Sequence, residues 1–351
     1  MKKKNIFIGL ALSLTVTGCG KDALENTNNN VKEEVKHEEN EEVKEAKTEK
    51  KDESKVIYAS FYPIYNLTKQ IAGDKFEVKS FNSLTTESHD FEPSAKEIAE
   101  LRESQLIFMN GAGMEDWKDD VNETIDISMV DTSESLDLIK ADHDHEDAED
   151  HDHDHEDAVD HDHDHDHEEG EHHHHHHGEF DPHTWLSPVN AKAQAKVIAD
   201  KLSEIDPANK DYYQKNYEEI AKEFDEIINE YKEKFAKVEN NKFIVPHEAF
   251  GYVARDFNLE QIPLASLTST ADPDAKVMKE VTDLAKANKI KTVFFEKGGS
   301  DKAAKTIAEE IGAETAPLST MEFASEEEIE KEVTIQEIIK ENLENIYKSL
   351  A

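Results

Sequence analysis

Short apolar runs alternate with amphipathic segments along most of the chain. Seven of the runs have the length and the β-branched or aromatic content of strands. They are VIYAS (56–60), FEVKSF (76–81), LIFMNG (106–111), ISMVDTS (127–133), KFIVP (242–246), EQIPL (260–264) and KTVFFE (291–296). Apolar residues at helical spacing separate them, as in SAKEIAELRESQ (94–105), where Ser94 is a candidate N-cap. Strands that alternate with helices predict parallel sheets covered by helices.

A long helical segment separates the first four predicted strands from the last three. Residues 188–238 have helical spacing throughout, except at Asp206-Pro207. The part after this break would be about 45 Å long at 1.5 Å per residue, which suits a connector between two lobes. We therefore predict an α/β fold with two (β/α) lobes, residues 56–205 and 241–351, joined by a long helix within residues 206–240.

The N-terminal segment is typical of a secreted protein. Three lysines precede a stretch of about 11 apolar residues, Ile6–Val16, which is too short for a membrane-spanning helix of roughly 20. Residues 1–18 are therefore predicted to be a signal peptide. The sequence VTGC (16–19) looks like a bacterial lipobox, which would place a lipid on Cys19; the alternative is an ordinary signal peptide that ends near a cysteine. Residues 19–55 are charged and poor in apolar residues, and they predict a disordered tether.

The charge balance excludes one class of partner and favours another. The 351 residues include 40 Lys+Arg and 81 Asp+Glu, a formal net charge of −41. Nucleic-acid binding needs clustered cationic side chains, so no nucleic-acid partner is expected, whereas cations are attracted. Cys19 is the only cysteine. A metal site in the folded part must therefore use His, Asp and Glu.

Only three of the 19 histidines lie among the predicted strands and helices: His89, His183 and His247. Each follows a predicted strand, at the position where open parallel sheets place their ligands. Glu296 ends the strand KTVFFE, where a charged side chain is costly unless it has a partner. Any one of these histidines alone would more often be a structural residue. Three imidazoles and one carboxylate together suit tetrahedral Zn²⁺.

Six segments then resemble a known family. They are ASFYPIY (59–65), HDFEPS (89–94), NGAGMEDW (110–117), DPHTWLSP (181–188), HEAFGY (247–252) and VFFEKGGS (293–300). In this order they look like the signature segments of zinc-binding lipoproteins of bacterial ABC importers, the cluster A-I solute-binding proteins of the zinc type. The resemblance extends from Val56 to the end of the chain.

The resemblance implies a ligand set, a fold and partners. His89, His183 and His247 match the three histidine ligands of the family, and Glu296 is matched to the carboxylate that completes the site. The implied fold has two lobes, a rigid connecting helix and the metal in the cleft. Zn²⁺ is then the transported ligand, captured by a lipid-anchored monomer on the extracytoplasmic face of the cell membrane. Its implied partners are a zinc ABC permease and an ATPase subunit. Lys297, where the family often has proline, could weaken ligation by Glu296 or point away from it.

Residues 141–179, here called the His/Asp loop, interrupt the pattern with an acidic, histidine-rich sequence that cannot form a core. We expect its histidines to form a disordered, auxiliary, low-affinity metal loop that raises the local zinc concentration, because ordering a flexible chain around an ion costs entropy. The alternative is a solvated insertion with incidental affinity. These histidines are His143, His145, His151, His153, His155, His161, His163, His165, His167, His172, His173, His174, His175, His176 and His177.

Two other functions remain open at the level of sequence. His247-Glu248 begins like the HExxH signature of zinc hydrolases, but position 251 is glycine, and four protein ligands would leave no position for a catalytic water. We therefore expect no enzyme. A surface adhesin or metal buffer would need no permease.

Overall fold

Two four-stranded parallel sheets form the frame of the protein. The structure is a computed structural model, and it describes residues 55–141, 178–267 and 273–351. The first sheet has the strand order β2-β1-β3-β4 and the second has the order β6-β5-β7-β8. The strands are β1 (Val56–Ala59), β2 (Glu77–Ser80), β3 (Leu106–Met109), β4 (Ser128–Asp131), β5 (Lys242–Val245), β6 (Glu260–Pro263), β7 (Thr292–Glu296) and β8 (Glu314–Leu318). The predicted α/β class with parallel strands is confirmed.

Ten helices accompany the sheets in the described residues. They are α1 (Tyr62–Ala72), α2 (Ala95–Leu101), α3 (Lys118–Thr124), α4 (Pro188–Ile205), α5 (Lys210–Phe235), α6 (Gly251–Phe257), α7 (Ala275–Ala287), α8 (Lys302–Ile311), α9 (Glu326–Glu330) and α10 (Ile335–Leu350). Ser94 caps α2 as predicted, since its hydroxyl accepts from Glu97 N while the Glu97 side chain accepts from Ser94 N. No helix among these residues is long and apolar enough to cross a membrane.

The predicted break at Asp206-Pro207 separates α4 from α5. The Asp206 carboxylate accepts hydrogen bonds from Asn209 and from the hydroxyl of Tyr213, both at 2.7 Å, and so holds the turn. Helix α5 has 26 residues and is therefore about 39 Å long. It packs against α1, which follows the first sheet strand, and against α6 and α10, which belong with the second sheet.

The hydrophobic core is continuous between the two halves. One cluster of buried residues includes Phe61 and Trp185 from the first half, Phe224 from α5, and Phe243 and Ile339 from the second half. Contact between helices of both halves along α5 explains this continuity. The division into lobes at residues 205 and 241 stays a prediction.

Two elements were not expected from the sequence, and one of them positions the metal centre. Strand β8 has the sequence ETAPL, whose proline argues against a strand in the interior of a sheet. In the structure β8 lies at the edge of the second sheet, where a missing backbone N–H is tolerated. The short helix α9 was also missed, although Ser325 and Glu328 form a capping box at its start.

The signal peptide, Cys19, the tether and the histidines of the His/Asp loop lie outside the described residues.

Candidate metal centre

The three histidines singled out in the sequence meet at one point in the structure. His89 lies in the loop between β2 and α2, and His247 follows the end of β5. His183 directly precedes the short helical turn Thr184–Leu186, which leads into α4. The side chains of His89, His183 and His247 can all be ligands of a single ion, and a fourth group, Glu322, lies with them.

The distances within this group are those of a tetrahedral zinc site. The Nε2 atom of His183 lies 3.1 Å from Nε2 of His89 and 3.4 Å from Nε2 of His247. Oε1 of Glu322 lies 3.6 Å, 3.6 Å and 3.4 Å from Nε2 of His89, His183 and His247. Metal–ligand bonds of about 2.0–2.1 Å in a tetrahedron place the ligands roughly 3.3–3.4 Å apart. The four atoms therefore surround a space of the size that Zn²⁺ requires.

Glu322 is a buried carboxylate whose surroundings suit a metal ion. Its side chain is 1% exposed, and its Oε1 accepts no hydrogen bond from any described residue. A buried, unpaired charged oxygen is costly, and a metal ion removes that cost. Oε1 is the atom that faces the three imidazoles.

The first half of the chain holds the loop that carries Glu322. Ser88 Oγ donates to the backbone carbonyl of Glu322 at 2.8 Å. Trp185 Nε1 donates to the carbonyl of Thr320, and Ala324 N donates to the carbonyl of Leu84, both at 2.7 Å. The second half therefore supplies the carboxylate, and the first half fixes its position.

The structure places Glu296 beside the group and not within it. Its Oε2 lies 4.0 Å from Nδ1 of His247, which is the ring nitrogen opposite the Nε2 that faces the other ligands. Its Oε1 accepts a hydrogen bond of 2.5 Å from the Thr320 hydroxyl. Lys297 points away from it and pairs with Glu328 at 2.9 Å, so this lysine does not neutralise Glu296.

Sequence reasoning missed Glu322, although a signal exists. The residue stands between Met321 and Phe323, in a segment where an acidic side chain is unexpected. With β8 recognised, Glu322 lies shortly after the carboxyl end of a strand, like His89 and His247. The strand was missed because of Pro317, and the ligand was missed with it.

In the metal-free group, the pKa values of Glu322 and His183 are shifted by their contact with each other. Burial raises the pKa of Glu322, but the neighbouring imidazoles of His183, His247 and His89 outweigh it and hold this pKa well below the usual range. Burial lowers the pKa of His183, yet the carboxylates of Asp181 and Glu322 outweigh it and raise this pKa to about 9. Without metal, His183 therefore carries a proton, which Zn²⁺ must displace in order to bind.

Asp181 sets the orientation of His183. Its Oδ1 accepts from the backbone N of His183 at 2.9 Å and lies 2.8 Å from Nδ1 of the ring. A proton on Nδ1 leaves the lone pair of Nε2 free for a metal. Asp181 is 3% exposed, and its backbone carbonyl accepts from the Tyr252 hydroxyl at 2.7 Å. The segment is thus fixed from both halves of the chain.

Replacing Asp181 by asparagine is expected to weaken zinc binding by about 10–100-fold, the usual effect of losing a carboxylate behind a histidine ligand. The amide keeps the size of the side chain but loses its charge. Competition titration against a chelator measures the effect, and Asp211→Asn, at the exposed start of α5, is the control. An unchanged affinity in Asp181→Asn would show that the carboxylate does not support the ligand.

Comparison with known proteins gives a consistent result. The family model for the zinc-uptake complex component A, periplasmic, matches residues 57–349. The high-affinity zinc uptake system protein ZnuA of Bacillus subtilis is 33% identical over 353 aligned residues, which cover 99% of this chain and 98% of that protein.

Solved structures share the fold. The Zn(II)-bound ZnuA-like domain of Streptococcus pneumoniae AdcA is 28% identical with a TM-score of 0.67, over 84% of this chain and 98% of that one. The laminin-binding protein Lmb of Streptococcus agalactiae, described as having adhesin and metal transporting activity, is 27% identical with a TM-score of 0.67, over 84% and 99%.

Proposed function

We propose that this chain, which belongs to the family of the periplasmic zinc-uptake complex component A, captures Zn²⁺ outside the cytoplasm and delivers it to an ABC permease. The observation that carries the proposal is the convergence of three imidazole nitrogens and one carboxylate oxygen at the spacing of a tetrahedral zinc site. The family is one of zinc-binding transport components, in agreement with the expectation of a zinc ligand and of a protein that is not an enzyme.

His89, His183 and His247 are the proposed histidine ligands, as expected from the sequence. Glu322 is proposed as the fourth ligand in place of Glu296, because Glu322 lies 3.4–3.6 Å from all three coordinating nitrogens. Glu296 approaches one histidine only, at 4.0 Å and at its other nitrogen. Three imidazoles favour Zn²⁺ over harder ions such as Mn²⁺.

Delivery by an ABC importer requires a membrane permease and an ATPase. We propose a zinc permease and its ATPase, as expected for a component of an ABC importer. A lipid on Cys19 would hold the monomeric protein at the outer face of the cell membrane, with residues 19–55 as a tether. The loaded protein would dock on the permease and release the ion.

The hydrolase alternative gains no support from the site. Glu248 belongs to the segment before α6, which begins at Gly251, whereas the HExxH motif requires a helix that carries both histidines on one face. The adhesin alternative has one observation in its favour, the similarity to Lmb. An adhesin role would be additional to zinc binding, because the four-ligand group is complete here.

Zinc uptake tests the proposal directly. In cells that lack the gene and grow at limiting zinc, the unmutated chain is expected to restore uptake of radioactive zinc, and His247→Ala is expected to leave uptake at the level of the deletion. His37→Ala, which removes a histidine of the tether, is the control. Full restoration by His247→Ala would contradict the proposal.

The His/Asp loop enters the same assay as a separate variant. We propose that its histidines gather Zn²⁺ near the cleft and so accelerate loading at low zinc concentration. Deletion of residues 141–179 is then expected to slow uptake at limiting zinc and to have no effect at high zinc. Unchanged uptake at limiting zinc would support the alternative, a solvated insertion with incidental affinity.

A further inference from the structure

A cavity of about 440 Å³ lies beside the four-ligand group. Its lining includes Glu87, Asp90, His247 and Glu296 together with apolar residues such as Leu264 and Phe295. The proposed ligands themselves are closed off, since the side chains of His183, His247 and Glu322 are only 0%, 8% and 1% exposed. An ion needs a passage to reach them, and the cavity adjoins His247.

Two carboxylates in this cavity are held in a defined orientation. Oε1 of Glu87 accepts from the backbone N of Ser88 at 2.8 Å and of His89 at 3.2 Å. Oε1 of Glu296 accepts from the Thr320 hydroxyl at 2.5 Å. One oxygen of each carboxylate is thus fixed by the protein, while Oε2 of Glu296 lies 4.0 Å from Nδ1 of His247 and the Glu87 side chain lies next to that of Glu322.

Glu322 connects these carboxylates to the four-ligand group. Its ligand oxygen lies within 4.8 Å of ligand oxygens of both Glu87 and Glu296, and it also belongs to the group with the three histidines. The unpartnered, buried Oε1 of Glu322 points to a cation at the four-ligand group, which the carboxylates of Glu87 and Glu296 adjoin. His247 lies between the cavity and the four-ligand group. Its Nε2 faces Glu322, and its Nδ1 lies 4.0 Å from Glu296.

We propose that Glu87 and Glu296, with Glu322, form a transit site through which Zn²⁺ enters and leaves the four-ligand group by way of this cavity. The inference rests on the proposed function. An ion would bind the carboxylates first, then exchange them for imidazoles while Glu322 stays bound. Apart from the proton that His183 releases when the ion arrives, only metal–ligand bonds form or break in this exchange.

The chemistry of the donors gives the transit site a lower affinity than the final one. Carboxylate oxygens suit harder ions, whereas imidazole nitrogens suit zinc, so the ion moves towards the three histidines. An ion that entered a buried group without intermediate ligands would be an unpaired charge in an apolar surrounding, which is costly. Ligands along the passage lower this barrier in both directions, because they stabilise the ion in transit.

Binding and release rates of the full-length chain test the proposal. The rings of Trp185 and His183 lie 5.3 Å apart, so a change of tryptophan fluorescence in a stopped-flow experiment that His183→Ala abolishes reports arrival at the four-ligand group. Release is followed after mixing with excess chelator. The test variant is Glu87→Gln with Glu296→Gln, and Glu296→Gln alone is the second variant. Glu103→Gln with Glu123→Gln, two exposed residues, is the charge-matched control.

The expected result is a fall of about tenfold or more in both rates for the double variant, with a smaller fall for Glu296→Gln and none for the control. The dissociation constant then changes little, since it is the ratio of the two rates. Unchanged rates would overturn the proposal, and so would a slower association with unchanged release, which is the effect of lost charge alone. Absence of zinc binding in the unmutated chain would instead overturn the proposed function.

Discussion

Replacing His183 by alanine is expected to weaken zinc binding by more than about a hundredfold, which exceeds the usual effect of losing a residue behind a ligand. His183 is at the centre of the group, with Nε2 3.1 Å from His89 and 3.4 Å from His247. Without it, only three ligand atoms remain, and Asp181 and Glu322 both lose the imidazole that they contact. Competition titration against a chelator of known affinity measures the loss.

Two controls keep this result interpretable. His37→Ala removes a histidine from the tether and is expected to leave the tight site unchanged. Because His183 is fully buried, thermal unfolding of the metal-free variant checks that the fold persists. Tight binding that survives in a folded His183→Ala protein would place the zinc site elsewhere in the chain.

Glu322→Gln is expected to produce a loss of similar size, again more than about a hundredfold, whereas Glu296→Gln should change the affinity by less than about tenfold. The amide of glutamine keeps the shape of the side chain but lacks the negative charge that compensates Zn²⁺. Glu322 lies 3.4 Å from Nε2 of His247, while Glu296 lies 4.0 Å from Nδ1 of the same ring.

The two glutamate variants are each other's control, since both remove one carboxylate near the same histidine. Equilibrium titration of both proteins under identical conditions decides between them. A larger loss in Glu296→Gln than in Glu322→Gln would restore Glu296 as the fourth ligand and would contradict the geometry described above.

The histidines could be recognised from the sequence because each occupies a position that pattern alone identifies. His89 and His247 follow runs that read as strands, and parallel strands bring their carboxyl ends to one edge of a sheet. His183 is separated from its preceding strand by the His/Asp loop, but it stands in a segment with a clear helix start. The sequence does not contain the distances between these residues; they follow from the way in which the two sheets meet.

The proposed fourth ligand was not predicted because it follows a strand with a weak local signal. Strand β8 contains Pro317, which argues against a strand, and only pairing with β7 makes ETAPL extended. In contrast, Glu296 ends a strand that the sequence clearly predicts, and it was therefore expected to be the fourth metal ligand. Tertiary contacts place Glu322: hydrogen bonds from Ser88 and Trp185 fix its loop across the boundary between the two halves.

The continuous core could not be predicted from the sequence either. The amphipathic pattern of α5 identifies its apolar face, but not the partners of that face. In the structure those partners come from α1 on one side and α10 on the other. Single buried residues such as Phe224 thus belong to one core with both sheets.

The most direct test of the account is zinc titration of the protein that lacks residues 141–179. We expect one zinc ion to bind tightly per chain, because the four proposed ligands all lie outside the His/Asp loop. They are His89, His183, His247 and Glu322. Loss of tight binding together with the loop would contradict it, and would identify the histidine-rich sequence as the zinc receptor.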